Sequence, residues 1–167
     1  MMISNKMQDA LNKQIALEAY ASHLYLAMAA WCDKQGLDGC KKFLLAQSDE
    51  ERVHMLKLFH YMSDVDGTAI APEIKKPPVD YDSVTRVFEM LHDHEQEVTH
   101  AIHALVKLAY DENDYTTLNF LQWYVEEQRE EEAMARDILD KINLIGDSPQ
   151  SLYFIDLELQ KISDGEG

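Results

Sequence analysis

The sequence predicts an all-α fold: a bundle of four long helices, a long crossover between the second and third, and a short fifth helix at the carboxyl end. Three observations predict it. Apolar residues recur at three- and four-residue spacing through four long segments. The breakers are few, 6 Gly and 4 Pro in 167 residues, and they gather at the joins. The joins are short except for one, which is long enough to reverse the path of the chain.

The first helix is expected over about 4–33, with Ser4 as its cap and Gly36 and Gly39 ending the segment. Its inward stripe reads Met7, Leu11, Ile15, Glu18, Ala21, Tyr25 and Met28, so Glu18 stands where a leucine is expected. The second, over about 39–64, places Leu44, Gln47, Glu51, His54, Leu58 and Tyr61 on one face. Val65 to Asp82 then holds Pro72, Pro77 and Pro78. Extended, this link reaches ~59 Å, more than the ~40 Å of a long helix. It can therefore run the length of the bundle and make the second and third helices parallel. The third helix, over about 83–111 behind a Ser83 cap, carries Val84, Phe88, Leu91, Glu95, Val98, Ile102 and Leu105. The fourth, over about 115–145 behind Asp114 and before Gly146, carries Leu121, Tyr124, Gln128, Glu131, Ala135, Ile138 and Ile142. Ser148-Pro149 pairs a cap with the residue suited to a first helical position, and predicts a fifth helix over about 149–162.

Bulk composition narrows the function. A chain of 167 residues, 46% hydrophobic, has the length and apolar content of one domain, expected to span 1–167. No apolar run approaches the roughly 20 residues that span a bilayer, and the amino-terminus lacks a secretion-signal layout, so a cytoplasmic protein without a membrane partner is expected. Fifteen basic against 31 acidic residues give a formal charge of −16, which repels phosphate backbones and attracts cations, so nucleic acid is not expected as a partner. Cys32 and Cys40 form no C-x-x-C pair and are expected as small buried side chains, not a disulfide.

The chemistry lies in the acidic residues on the apolar stripes. Glu18, Glu51, Glu95 and Glu131 each fall near the middle of their helices, and Glu51-x-x-His54 adds an imidazole one turn on. An ionised carboxylate in an apolar core is costly unless it is paired or ligates a metal. Four at one level of a bundle point to bound cations. Carboxylate oxygens with one nitrogen and no thiolate suit a hard, redox-capable ion such as iron or manganese. A single E-x-x-H is weak evidence; the convergence of four helices gives it weight. The second E-x-x-H of the dinuclear carboxylate pattern is missing, because Glu127-Gln128-Arg129-Glu130-Glu131-Glu132 holds no histidine. His92, His94, His100 and His103 on the third helix are expected at the surface, and Asp111, Glu112 and Asp114 as a solvated turn.

From Met7 to Ile162 the chain resembles a non-haem bacterial ferritin of the ferritin-like superfamily. The resemblance is carried by Gln14 to Tyr25, Glu50-Glu51-Arg52-Val53-His54-Met55, His94-Glu95-Gln96, Asn119 to Val125 with Glu127-Gln128, and Leu152-Tyr153-Phe154-Ile155-Asp156. It implies iron storage with ferroxidase activity, in which Fe(II) is oxidised by dioxygen or hydrogen peroxide and Fe(III) mineral is kept inside a homo-oligomeric, 24-subunit cage. It further implies two iron positions, one formed by Glu18, Glu51 and His54 and the other by Glu51, Glu95 and Glu131, with Gln128 beside them. Glu50, Glu127, Glu130 and Glu131 would hold a third iron nearby, and Tyr25 would donate an electron or a hydrogen bond. Trp123 is a further candidate for a redox or a packing role. No haem is expected, since haem-binding relatives carry methionine where Arg52 stands and histidine where Glu131 stands. The alternatives are a non-catalytic divalent-metal-binding bundle and a haem-containing bacterioferritin.

Overall fold

Four polar side chains set where helices begin. Ser4, Ser83, Asp114 and Ser148 accept from the amides of Met7, Arg86, Thr117 and Ser151 at 3.0, 3.0, 3.0 and 3.3 Å, each satisfying a first-turn N–H that has no partner within the helix. A computed structural model describes residues 3–165; Met1 and Met2, on which part of the amino-terminal reading rests, lie outside them, as do Glu166 and Gly167. The elements are α1 (Asn5–Lys34), α2 (Asp38–Asp64), α3 (Val84–Asp111), α4 (Tyr115–Ile145) and α5 (Pro149–Ser163). Architecture and order agree with the sequence expectation: a ferritin-like four-helix bundle with a short fifth helix. Among the described residues no helix is long and apolar enough to cross a membrane.

α1 pairs with α2 and α3 with α4 as two hairpins, and the 65–83 crossover joins them. Its path is fixed by bonds to α1. Thr68 N–H donates to Gln8 Oε1 at 2.9 Å, and Asn12 both receives the Ile70 N–H and donates to the Thr68 carbonyl. At the other end Tyr81 meets Trp31 edge-on, with ring centroids 5.9 Å apart. The link therefore travels from the beginning of α1 to its end, and α2 and α3 run parallel.

One junction differs from expectation. Gly36, with φ +74, follows α1, but Gly39 does not help to end that segment. It sits in the first turn of α2, where a Cβ would fall 2.1 Å from the Asp156 carbonyl oxygen of α5. Glycine is needed there for close approach and not for a turn. α2 has no side-chain cap of its own; Cys40 N–H is instead capped by Asp156 Oδ1 at 2.9 Å, a side chain 116 positions away.

Every residue of the four stripes is buried. The apolar ones form two clusters. One gathers Tyr25, Met28, Leu44, Phe88, Leu91, Ile138 and Ile142 with Ile155 and Leu159 of α5; the other gathers Met7, Leu11, Ile15, Leu58, Val98, Ile102, Leu121 and Tyr124. Between them lies a polar layer of Glu18, Glu51, His54, Glu95, Gln128 and Glu131. Cys32 and Cys40 are free and buried in the first cluster.

Candidate metal centre

Helical periodicity brings the polar layer together. Glu18 sits between Ile15 and Ala21 on the stripe of α1, so burying the stripe buries its carboxylate, and the same holds for Glu51, Glu95 and Glu131. Ligand atoms of Glu18, Glu51 and His54 all lie within 4.8 Å of one another, as do those of Glu51, Glu95 and Glu131. Glu51 belongs to both groups. A third group joins His54 to Glu127 and Glu131. Glu50 and Glu130 stand outside these three groups and are exposed. The Glu130 carboxylate lies 3.8 Å from the Arg129 guanidinium.

The protein's own donors hold these side chains in part. Gln14 Nε2 donates to Glu18 Oε1 at 3.0 Å, while Tyr25 and Gln128 donate to Glu95 Oε1 and Oε2 at 2.5 and 3.0 Å. Tyr124 donates to the His54 carbonyl at 2.6 Å. His54 Nδ1 is 3.3 Å from Glu51 Oε2 without the alignment of a hydrogen bond, and its Nε2 is 3.4 Å from Glu127 Oε1. Glu18 Oε2, both oxygens of Glu51, His54 Nδ1, Gln128 Oε1 and Glu131 Oε2 are buried with no hydrogen-bond partner. Native interiors leave few such atoms. Their concentration in one layer, all but one on carboxylate or imidazole groups, marks a place built for cations.

Electrostatics agree. Burial pushes the Glu18 carboxyl up, and it pushes Glu51 well above the carboxylate range, with the Glu95 and Glu18 charges adding to the effect. Glu131 is raised to about 9 by burial and then by Glu95, Glu50 and Glu127. Without a cation, burial shifts each of these groups toward the protonated form. A divalent ion reverses that preference by attracting the charge.

Residues 8–145 match the family model of the ferritin-like domain. The chain belongs to the ferritin family. It is 44% identical over 162 residues to a probable bacterial non-heme ferritin-like protein of Haemophilus influenzae, covering 97% of this chain and 98% of that one. It is 43% identical to a bacterial non-heme ferritin of Campylobacter jejuni, covering 97% of each. The open-pore ferritin of the hyperthermophilic archaeon Archaeoglobus fulgidus superposes with a TM-score of 0.93 at 44% identity, covering 96% of this chain and 98% of that one.

Several neighbours of the layer in this ferritin differ from, or add to, the sequence expectations. His94 is not at the surface with His100 and His103; it is 6% exposed, edge-on to the rings of Tyr20 and Tyr25. Its place beside Glu95 on the inward turn brings it under α1. Trp123 packs edge-on against His54 with centroids 5.3 Å apart, and Lys57 Nζ lies 4.0 Å from the Trp123 ring centroid. The acidic turn is locally occupied: Asp114 caps α4, Asp111 pairs with Lys107 at 2.6 Å, and Glu112 accepts from Ser4. Gln14, which supports Glu18, had no place in the site read from sequence. An amide four residues before a stripe glutamate was the available signal.

Proposed function

We propose that this ferritin stores iron in the cytoplasm and oxidises it on entry, acting as a ferroxidase on Fe(II). The observation that carries the reading is the pair of ligand groups sharing Glu51, all buried and all but Glu95 with unpartnered oxygen or nitrogen atoms. Glu18, Glu51 and His54 would hold one Fe(II), and Glu51, Glu95 and Glu131 the other. In the reaction two Fe(II) give up two electrons to become two Fe(III). Dioxygen with two protons becomes hydrogen peroxide, or hydrogen peroxide with two protons becomes two waters. The protein's part is to set the two ions side by side, exclude bulk water and supply charge that favours the higher oxidation state. Gln14, Tyr25 and Gln128 orient the carboxylates toward that task.

Glu127, within reach of both His54 and Glu131, supports an onward step. With Glu50, Glu130 and Glu131 it would form a third iron position that passes Fe(III) to mineral. α5 leaves Leu152, Tyr153 and Phe154 exposed at 42%, 65% and 54%, an apolar surface consistent with burial between subunits of a 24-subunit cage.

Anaerobic Fe(II) loading followed by rapid mixing with air tests the reading. Wild-type protein is expected to oxidise its first two equivalents per chain far faster than a protein-free control. Glu51→Ala, which removes the shared ligand, is expected to lower that initial rate by at least about a hundredfold. A rate equal to the control would leave a non-catalytic metal buffer, and an undiminished rate in Glu51→Ala would remove Glu51 from the centre.

A further inference from the structure

Gln128 is held in one orientation by groups that are not in the ligand set. Its Nε2 donates to Glu95 Oε2 at 3.0 Å, to the Glu95 carbonyl at 3.2 Å and to Thr99 Oγ1 at 3.3 Å. Thr99 in turn shares its single hydroxyl proton between Glu132 Oε2 at 2.9 Å and the Glu95 carbonyl at 3.0 Å. Polarity follows from this order. A carboxylate and a carbonyl only accept, so the Thr99 hydroxyl donates toward them and turns its lone pairs to Gln128. The Gln128 side chain must then present NH₂ to this corner. A flipped amide would set its oxygen against Glu95 Oε2, the Glu95 carbonyl and the Thr99 lone pairs, three acceptors that offer it no proton.

We infer that Thr99 and Glu132 are positioning residues for the second metal position: the Glu132 carboxylate fixes the Thr99 hydroxyl, which fixes the Gln128 amide on Glu95. The chain of bonds runs Glu132, Thr99, Gln128, Glu95, from a half-buried carboxylate to a fully buried one. With Tyr25 on the other oxygen of Glu95, both oxygens are held by donors and the carboxylate keeps one orientation. No hydrogen bond or ion pair joins Glu18 or His54 to Thr99 or Glu132, so the effect falls on the group that contains Glu95, formed with Glu51 and Glu131. Gln128 Oε1 is thereby left buried and without a protein partner.

This rests on the two-ion reading of the site, and the test separates the two. Anaerobic titration with Co(II), followed by calorimetry and by visible absorption, resolves two binding events without any oxidation. Thr99→Val keeps the shape and removes the hydroxyl; it is expected to weaken the second event about tenfold while leaving the first unchanged. Thr99→Ser is expected to restore it. Glu132→Gln, whose amide can donate to Thr99 and so compete with Gln128 for the Thr99 lone pairs, is expected to weaken the same event. It carries the test alone should Thr99→Val fail to fold. Unchanged binding in these variants, or equal weakening of both events, overturns the inference while the two-ion centre stands. A wild-type chain that binds no pair of Co(II) ions overturns both.

Discussion

Burial pushes the Glu131 carboxyl up to about 9, and the Glu95, Glu50 and Glu127 charges add to the effect. The folded, metal-free chain therefore keeps a proton that the unfolded chain releases near the ordinary value of 4.5. This group's share of stability is fully present below that ordinary value and is lost as pH rises through about 9. Glu131→Gln mimics the protonated form, so in metal-free protein its melting temperature should rise relative to wild type as pH is raised from about 5 to about 9. With saturating Zn(II) the order should reverse, because only the wild type supplies the ligand. A constant difference across pH would contradict the assignment. At this scale the convergence of Glu18, Glu51, His54, Glu95 and Glu131 was legible, because an acid on an apolar stripe stands out within a single helix. Thr99, Glu132 and the burial of His94 were not. Thr99 and Glu132 gain their meaning from side chains on the facing helix, and His94 from the overlying helix α1, so a one-helix pattern gives no cue to any of them.

The start of α2 depends on α5. Asp156 caps Cys40 N–H, and Gly39 admits the α5 backbone at a distance no side chain tolerates. Asp156→Ala should cost about 1 kcal/mol in thermal or denaturant unfolding. Gly39→Ala should cost more than that by forcing the two helices apart. Hydrogen exchange should show the loss confined to the first turn of α2 and to α5, and protection unchanged there would argue against the coupling. The other helix starts were readable because Ser4, Ser83, Asp114 and Ser148 each cap within three residues. The α2 start falls within one residue of the expected 39, but its cap was not readable, because it arrives from 116 residues away. The crossover was readable for a different reason: its length and prolines leave few paths, and its bonds to Gln8 and Asn12 select the one along α1.

For the molecule as a whole, the same coupling bears on what removal of the fifth helix would do. Deleting Ser148 to Gly167 strips Ile155 and Leu159 from one apolar cluster and uncaps α2 as well. The truncated chain should stay helical by circular dichroism, melt at a lower temperature than the full chain, and fail to give the full-size particle by light scattering. A full-size particle would show that α5 is dispensable for assembly. The bisected interior also has a consequence for the working life of the protein. Each apolar half closes on itself, so neither needs cargo in the waist between them to stay shut. A chain that takes up and gives up metal must hold its shape in both conditions, and this division predicts that the bundle packs before it meets any iron and keeps its fold once the metal is gone.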